Sequence, residues 1–472
     1  MRRIAAIAAA KGAAALSRGL RLGGGTALPG LVAERIDPGI VPGMARRLGQ
    51  GSVLVTGTNG KTTTARLLRN MLEAAGLRPV ANRAGSNLMR GIAAALVESA
   101  QMTGGFAARR RRLGVFEVDE ATLPEAAAAL QPRVVAFTNL FRDQLDRYGE
   151  VEHVGALWRQ AAQALPQSTA LVLNADDPSI ASLAQAARGP VLFYGLEDTA
   201  WSVEGLEHAA DARWCSAPAR GGPASGGCGS ELSYAAVFYG HLGHWRCPGC
   251  GLARPKAAVV CTRLESEADG LRLTLALPDG EVRGRLPLMG LYNAYNALAA
   301  AATAVALHVE AGAIEAGLAS FTAAFGRQER LRLAGRQVQV ILAKNPAGLN
   351  QVLRTITADG SQKDLLLLLN DNIADGRDVS WIWDVDFELL AGKTRSLTVS
   401  GTRAWDMALR LKYAGVESFP QVEPDAALAL RQALRETAED GTLYVIPTYT
   451  AMLRVRDLLA RWGGRGAFWQ ED

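Results

Sequence analysis

Cysteine is scarce in this chain, with five among 472 residues. So few thiols over that length cannot make a disulfide scaffold, and the close spacing of four of them points to a metal instead. Long apolar runs are missing too, so no segment reads as a membrane-spanning helix. Neither sign of charge dominates: 51 Lys and Arg stand against 46 Asp and Glu, a formal net charge of +5. Part of that excess is the run Arg109-Arg110-Arg111-Arg112. It reads as a solvated loop before an apolar strand and demands no nucleic acid. What abounds is apolar: 49% of residues are hydrophobic, enough to bury sizeable cores in a chain whose length suggests roughly two to four domains.

The chain is organised around Val53-Leu54-Val55-Thr56-Gly57-Thr58-Asn59-Gly60-Lys61-Thr62-Thr63-Thr64. A short apolar run enters it and a helical pattern leaves it. Strand, Gly-rich turn and helix start form the context in which backbone N–H groups cradle phosphate. Gly57, Thr58, Asn59, Gly60, Lys61, Thr62 and Thr63 are therefore the expected ATP-binding residues. Lys61 would reach the outer phosphates, and the Thr62 hydroxyl would sit on Mg²⁺. The general spacing puts the first glycine at position 55, where Val55 stands; Gly57 takes over and gives a compact G-T-N-G-K-T-T. An ATP site places the chain in the cytoplasm. Residues 1–22, with Arg2, Arg3 and an Ala/Ile-rich run, imitate a signal peptide, but Lys11 interrupts the run early. They read as a basic amphipathic helix that packs on the next domain, the alternative being peripheral contact with the inner face of the plasma membrane.

After this loop the apolar strand Leu113-Gly114-Val115-Phe116-Glu117-Val118-Asp119-Glu120 ends in carboxylates. Ligands bind at strand C-terminal ends in parallel α/β sheets, so Glu117 stands where a further Mg²⁺ ligand belongs. Glu120 either neighbours the substrate or metal, or caps the next helix. Val134-Val135-Ala136-Phe137-Thr138-Asn139 and Leu171-Val172-Leu173-Asn174-Ala175-Asp176-Asp177-Pro178 repeat the form. Strands alternating with helices argue for an α/β fold built on a mostly parallel sheet. The pattern breaks over residues 201–261, where Gly, Cys, Trp and Tyr replace helical period. Cys247-Pro248-Gly249-Cys250 is a metal knuckle. Cys228 looks like the end of a second one and Cys215 like its displaced start, across twelve intervening residues. The four Cys are expected to close a structural Zn²⁺ ribbon, with His241 or His244 as less favoured ligands and Cys261 as an ordinary buried thiol.

The α/β pattern then resumes. Asn293 and Asn296 open a long Ala-rich helix, where they cap it or face a nucleotide base. Arg327 could reach phosphate. A last α/β unit has apolar strands at residues 338–342, 365–369, 397–399 and 443–446. Polar segments follow the first two directly: Ala343-Lys344-Asn345-Pro346-Ala347-Gly348 and residues 370–381. The expected domains are residues 1–48, an N-terminal helical segment; 49–200 with 262–332, the ATP-binding domain; 201–261, the ribbon; and 333–472, a Rossmann-like α/β domain.

Together, G-T-N-G-K-T-T, the carboxylate strand, the N-x-x-x-D-x-x-D segment from Asn139 to Asp146, the N-A-D-D-P run and the Tyr292-to-Asn296 motif resemble the Mur ligase family. Its members couple ATP to amide-bond formation on peptidoglycan precursors. F-R-D-Q-L-D-R-Y-G-E over residues 141–150, the inserted ribbon, A-K-N-P-A-G and N-D-N-I-A-D-G-R-D-V-S-W narrow the resemblance. They are similar to the branch that serves as synthetase subunit of lipid II isoglutaminyl synthase, and the likeness covers nearly the whole chain. It implies ATP, Mg²⁺ and Zn²⁺ as cofactors, lipid II as substrate and a GatD-like glutaminase as partner in a heterodimer. The reaction it implies is amidation of the α-carboxylate of D-glutamate to D-isoglutamine through an acyl phosphate. It puts Lys344 and Asn345 in the substrate-side loop, which as plain sequence could be a turn. It makes Asp378 the residue that completes the partner's Cys-His site, where the residues alone allow a helix cap. Gln144 stands where many members carry a metal-ligating His, and no Lys matches their carbamoylated one. The competing readings are a Mur- or folylpolyglutamate-type amino-acid ligase that works without a partner, and a nucleic-acid-binding ATPase. The first needs no ribbon; the second needs a basic, aromatic-lined stripe.

Overall fold

Val53, Leu54 and Val55 are wholly buried. A strand without polar alternation has to be covered on both faces, and this one lies inside a nine-stranded sheet. The computed structural model describes residues 1–19, 27–83, 85–143, 151–216, 228–322, 327–416 and 420–463, with the backbone alone at 17–19 and 327. The sheet holds β1 (Ser52–Thr56), β2 (Arg78–Ala81), β3 (Arg112–Glu117), β4 (Val134–Phe137), β5 (Ala170–Asn174) and β6 (Val191–Leu196). After a separate hairpin of β7 (Ser233–Tyr239) and β8 (Leu242–Arg246), it is extended by β9 (Val259–Glu267), β10 (Gly270–Leu277) and β11 (Gly280–Leu286). The order is β11-β10-β9-β6-β5-β4-β1-β3-β2. Every pair from β2 to β9 is parallel, while β9, β10 and β11 pair antiparallel. The antiparallel wing was not anticipated from sequence, because its strands alternate with Arg and Glu and lack a long apolar run.

Helices cover both faces. Lys61–Ala74 and Leu291–Ala306 pack on one side, and the second is buried along nearly all its length. Its alanines let the backbone approach the sheet closely. The other side carries Met89–Ser99 together with the N-terminal helices Arg2–Gly19, Leu28–Ile36 and Ile40–Ala45. Lys11 Nζ donates to the Glu98 carbonyl at 3.0 Å, so the basic N-terminal helix is tied to its neighbour. No helix among the described residues is long and apolar enough to cross a membrane.

The second sheet comprises β12 (Arg327–Leu333), β13 (Arg336–Ile341), β14 (Lys363–Leu368), β15 (Thr394–Ser400), β16 (Gln421–Val422) and β17 (Thr442–Pro447). Its order is β12-β13-β17-β14-β15-β16, parallel except for the β12–β13 hairpin. The hairpin brings residues 327–333 into this sheet, so it starts ahead of residue 333, where the sequence put the boundary. The polar segment after β13 meets the nucleotide loop of the first sheet through Asn345 and Asn59, and the one after β14 shares a cavity with Arg142 and Asp143.

Candidate active site

The chain leaves β1 through Gly57 at φ +136° and Gly60 at φ +88° and enters the helix Lys61–Ala74. Neither glycine tolerates a side chain. A Cβ on Gly57 would lie 1.9 Å from Thr138 Oγ1, and one on Gly60 would lie 1.9 Å from Asn296 Oδ1. The turn is pinned from the neighbouring strand end. Thr58 N donates to the Asn139 carbonyl at 2.9 Å, and Asn59 N donates to Asn139 Oδ1 at 2.9 Å. Thr138 Oγ1 donates to the Asn59 carbonyl at 2.7 Å. We therefore expect Gly60→Ala to weaken nucleotide binding at least roughly tenfold, from left-handed backbone strain plus the clash with Asn296. Calorimetric titration with ATP measures this, and an unchanged dissociation constant would refute it.

Lys61 is buried and held within its own loop. Its Nζ donates to the Gly57 carbonyl at 2.6 Å and pairs with Glu120 Oε1 at 2.9 Å. Glu120 therefore does not cap a helix; burial raises its pKa, while Lys61 and Lys344 pull the other way. Thr62 Oγ1 donates to Glu117 Oε2 at 2.8 Å, so the two expected Mg²⁺ ligands already touch. A hydroxyl and a carboxylate oxygen at that spacing suit the oxygen preference of Mg²⁺. Asn293 and Asn296 lie inside the Ala-rich helix, which Gly290 caps. Asn296 Nδ2 donates to Asn293 Oδ1 at 3.0 Å. With Asn59, Gly60, Thr63, Tyr292 and Gln328 they line a cavity of about 70 Å³ that reaches Ala347 and Gly348 of the second sheet's domain. Arg327 opens β12, and its side chain lies outside the described residues, as do Gln144 and Asp146.

The C-terminal domain closes on this loop through two residues after β13. Asn345 caps the helix Pro346–Thr357 by accepting from Gly348 N, and its Nδ2 donates to Asn59 Oδ1 at 3.0 Å. Lys344 Nζ pairs with the buried carboxylate of Asp143. Asp378 is exposed; Ser380 N donates to its Oδ1 at 2.8 Å, which holds the carboxyl below its usual range. Asp378, Lys344, Asn345, Asp143 and Arg142 all line one cavity of about 50 Å³.

Sequence reasoning missed the contacts that span domains. Arg142 pairs with Asp211 at 2.5 Å and with Asp384 at 2.8 Å. Buried Glu207 accepts from Gly240 N and pairs with Arg354 at 2.6 Å. These partners lie up to 242 residues apart, and no local pattern marks them. Asp176 and Asp177 of the N-A-D-D-P run also proved structural. Asp176 holds Arg254 and Tyr295, and Asp177 caps a short helix.

The Sγ atoms of Cys215, Cys228, Cys247 and Cys250 lie within 4.8 Å of one another. Cys215 to Cys250 and Cys228 to Cys247 are each 3.7 Å. A tetrahedral ion with bonds of about 2.3 Å needs sulfur spacings of about 3.8 Å, so the set fits Zn²⁺. His241 is fully buried and its Nδ1 accepts from Asp211 N, while His244 bonds the Leu196 carbonyl; neither joins the cluster. Burial pushes the Cys261 thiol up to about 12.

Two family models match the chain: the Mur ligase middle domain over residues 55–215 and the MurT ligase C-terminal domain over residues 342–452. A pseudomurein peptide ligase type C from Methanothermus fervidus shares the fold, with a TM-score of 0.65 at 22% identity, over 89% of this chain and 80% of that one. Fold and nucleotide loop thus define a Mur ligase. Among curated proteins, the chain is 32% identical to the lipid II isoglutaminyl synthase (glutamine-hydrolyzing) subunit MurT of Staphylococcus aureus strain COL. It is 33% identical to the corresponding subunit of Streptococcus pneumoniae strain ATCC BAA-255 / R6. Each match covers 93% of both chains. The chain belongs to the MurT family and is a ligase.

Proposed function

We propose that this chain uses ATP to phosphorylate the α-carboxylate of D-glutamate in lipid II, and that ammonia displaces the phosphate to leave D-isoglutamine. The observation that carries the reading is the cavity of about 50 Å³ shared by Asp378 at the surface and by Asp143 and Lys344 beside the nucleotide loop. A water-sized guest needs roughly 10–15 Å³, so the space suits ammonia and is small for an amino acid. The MurT relatives are subunits of lipid II isoglutaminyl synthase, which supports the choice of lipid II.

Lys61 and the N-terminus of its helix neutralise the transferring phosphoryl group, and Thr62 with Glu117 would hold Mg²⁺. Bound Mg²⁺ would supply charge neutralisation at the phosphates. Asn59, Gly60, Asn293 and Asn296 line the nucleoside side of the site. The Lys344–Asp143 and Asn345–Asn59 contacts close the C-terminal domain over it, and exclusion of water protects an acyl phosphate from hydrolysis. Zn²⁺ on the four Cys would have a structural role, since four thiolates leave no open position.

Ammonia is read as coming from a GatD-type glutaminase docked around Asp378. Trp405, Leu409 and Tyr413 recur every fourth residue on the helix Ala404–Tyr413 and are exposed. Exposed Trp383 packs edge-on against Tyr413 at 5.6 Å. Such an aromatic stripe suits the core of a subunit interface. Asp378→Asn is expected to leave ammonium-dependent activity within about twofold, and to lower glutamine-dependent activity of the two-subunit enzyme about 100-fold. Parallel loss of both activities would remove Asp378 from the partner's chemistry.

The reading itself is tested by mass spectrometry of lipid II after incubation with ATP, Mg²⁺ and ammonium chloride. The product should be lighter by the difference between a hydroxyl and an amino group. Addition of an amino-acid residue mass would instead establish the partner-independent ligase.

A further inference from the structure

The cavity that joins Asp378 to Lys344 is lined largely by polar and charged side chains. Nearly every acceptor among them is engaged. Asp375 accepts from Thr450 N at 2.7 Å and from its hydroxyl at 2.5 Å. Asp378 accepts from Ser380 N, Asp384 from Arg142, and Asn345 Oδ1 from Gly348 N. Asp143 differs. Its Oδ2 takes Lys344 Nζ, while its Oδ1 is buried with no hydrogen-bond partner among the described residues. The side chain is only 5% exposed. A buried carboxylate oxygen left without a donor is costly, and such atoms are rarely retained without a use.

Its position gives that use. Asp143 follows β4 at the end where the nucleotide loop is pinned, and Glu120 feels both Asp143 and Lys344 as well as Lys61. Asp143 therefore lines the cavity of Asp378 and also a small one shared with Thr58 of the nucleotide loop and with Glu120, the partner of Lys61. Lys344 fixes the other oxygen and keeps the carboxylate oriented.

We propose that Asp143 is a catalytic residue of the amination half-reaction: its Oδ1 receives ammonia as a hydrogen-bond acceptor and takes the proton released on attack. This rests on the acyl-phosphate reading above. The nitrogen lone pair forms the C–N bond, and one N–H proton passes to Asp143. The C–O bond to phosphate then breaks, and phosphate leaves with the electron pair. The protonated carboxyl returns its proton to solvent when the product departs. No oxidant or further reactant is needed. The ammonia-binding function explains why the cavity is polar yet small.

The test separates the two halves of the reaction. Asp143→Asn keeps the shape and an amide oxygen that still accepts from Lys344, so the domain contact is retained, and removes the base. The chain is assayed with lipid II, ATP, Mg²⁺ and either ammonium chloride or hydroxylamine, following ADP, amide and hydroxamate together. Hydroxylamine is a neutral, strong nucleophile near pH 7 and traps an acyl phosphate with little help from a base. The expected result is ammonium-dependent amide formation reduced about 100-fold or more, with lipid II-dependent ADP release and hydroxamate formation within about threefold of the parent. Amide formation within threefold of the parent would overturn the assignment. Loss of ADP and hydroxamate alongside amide would overturn it too, placing Asp143 in the ATP half-reaction or in folding. If the unmodified chain forms neither amide nor hydroxamate, the acyl-phosphate reading itself fails, a result distinct from either of these.

Discussion

Lys61→Met is expected to lower the ATP-dependent rate on the order of 100- to 1000-fold, the usual cost of removing one preorganised donor from a site of developing charge. Methionine keeps the buried stem packed, so the change isolates the charge. In the structure the amine lies on the Gly57 carbonyl and against Glu120 within the loop it serves. Removing it strands Glu120, and a buried charge without its partner is strongly destabilising. Burial already raises the Glu120 pKa above its ordinary value near 4.5, and loss of Lys61 raises it further. The folded state then binds that proton more tightly than the unfolded state. Its stabilising contribution is present at low pH and is lost as pH climbs through the raised value. The variant should therefore lose more denaturant resistance than the parent as pH is raised from about 4.5 to 8. Turnover within tenfold of the parent would show that Lys61 does not touch the transferred phosphoryl group.

The second large effect is at the ribbon. Cys247→Ser is expected to abolish stoichiometric zinc, measured by elemental analysis, and to lower the melting temperature. Structural zinc binding in small modules contributes roughly 10–16 kcal/mol to folding, and each kcal/mol lost lowers the melting temperature of a domain this size by about 2–4 °C. Around the thiols the apolar cluster is small, centred on Leu232 and Trp245, while the hairpin itself packs into the main core through Phe238, Tyr239 and Leu242. Activity should fall with the metal. The preceding segment carries Glu207, which grips Arg354, and Asp211, which orients Arg142 toward Asp384. Cys261→Ser is the control, since that thiol sits in β9 away from the cluster and should change zinc content not at all. Retained zinc in Cys247→Ser would remove that residue from the ligand set.

What could be read in the sequence was local. The nucleotide loop declares itself because strand, glycines, lysine and helix are contiguous, and a run such as Val53 to Val55 can only be an interior strand. The four Cys were legible as types, although the wide gap between Cys215 and Cys228 hid how closely their sulfurs approach. Three-dimensional closure was not legible. Arg142 gives no local sign that it serves both Asp211 and Asp384, because an ion pair leaves no periodicity. The wing of β9 to β11 escaped for a related reason. Its faces alternate Arg and Glu with Leu and Val in short runs, which compete poorly with the helical patterns on either side. Glu120 was ambiguous in sequence, and only its burial against Lys61 decided between the alternatives.

The path of the chain between β6 and β9 has one further consequence. These strands are parallel neighbours, with Tyr194 opposite Val259 and Leu196 opposite Cys261. Parallel neighbours need a long return connection, ordinarily a helix. Here the whole connection is the metal-binding module, which docks on the strand ends through Trp245 Nε1 on the Ala175 carbonyl and Gly243 N on the Asp176 carbonyl. The outer third of the sheet thus lies beyond a connection that carries both the four-thiol cluster and a hairpin whose Phe238, Tyr239 and Leu242 enter the main core. Sulfur cluster and core packing thus secure one and the same connection, so a disturbance at the thiols reaches the seam between β6 and β9 by way of the hairpin rather than staying at the surface.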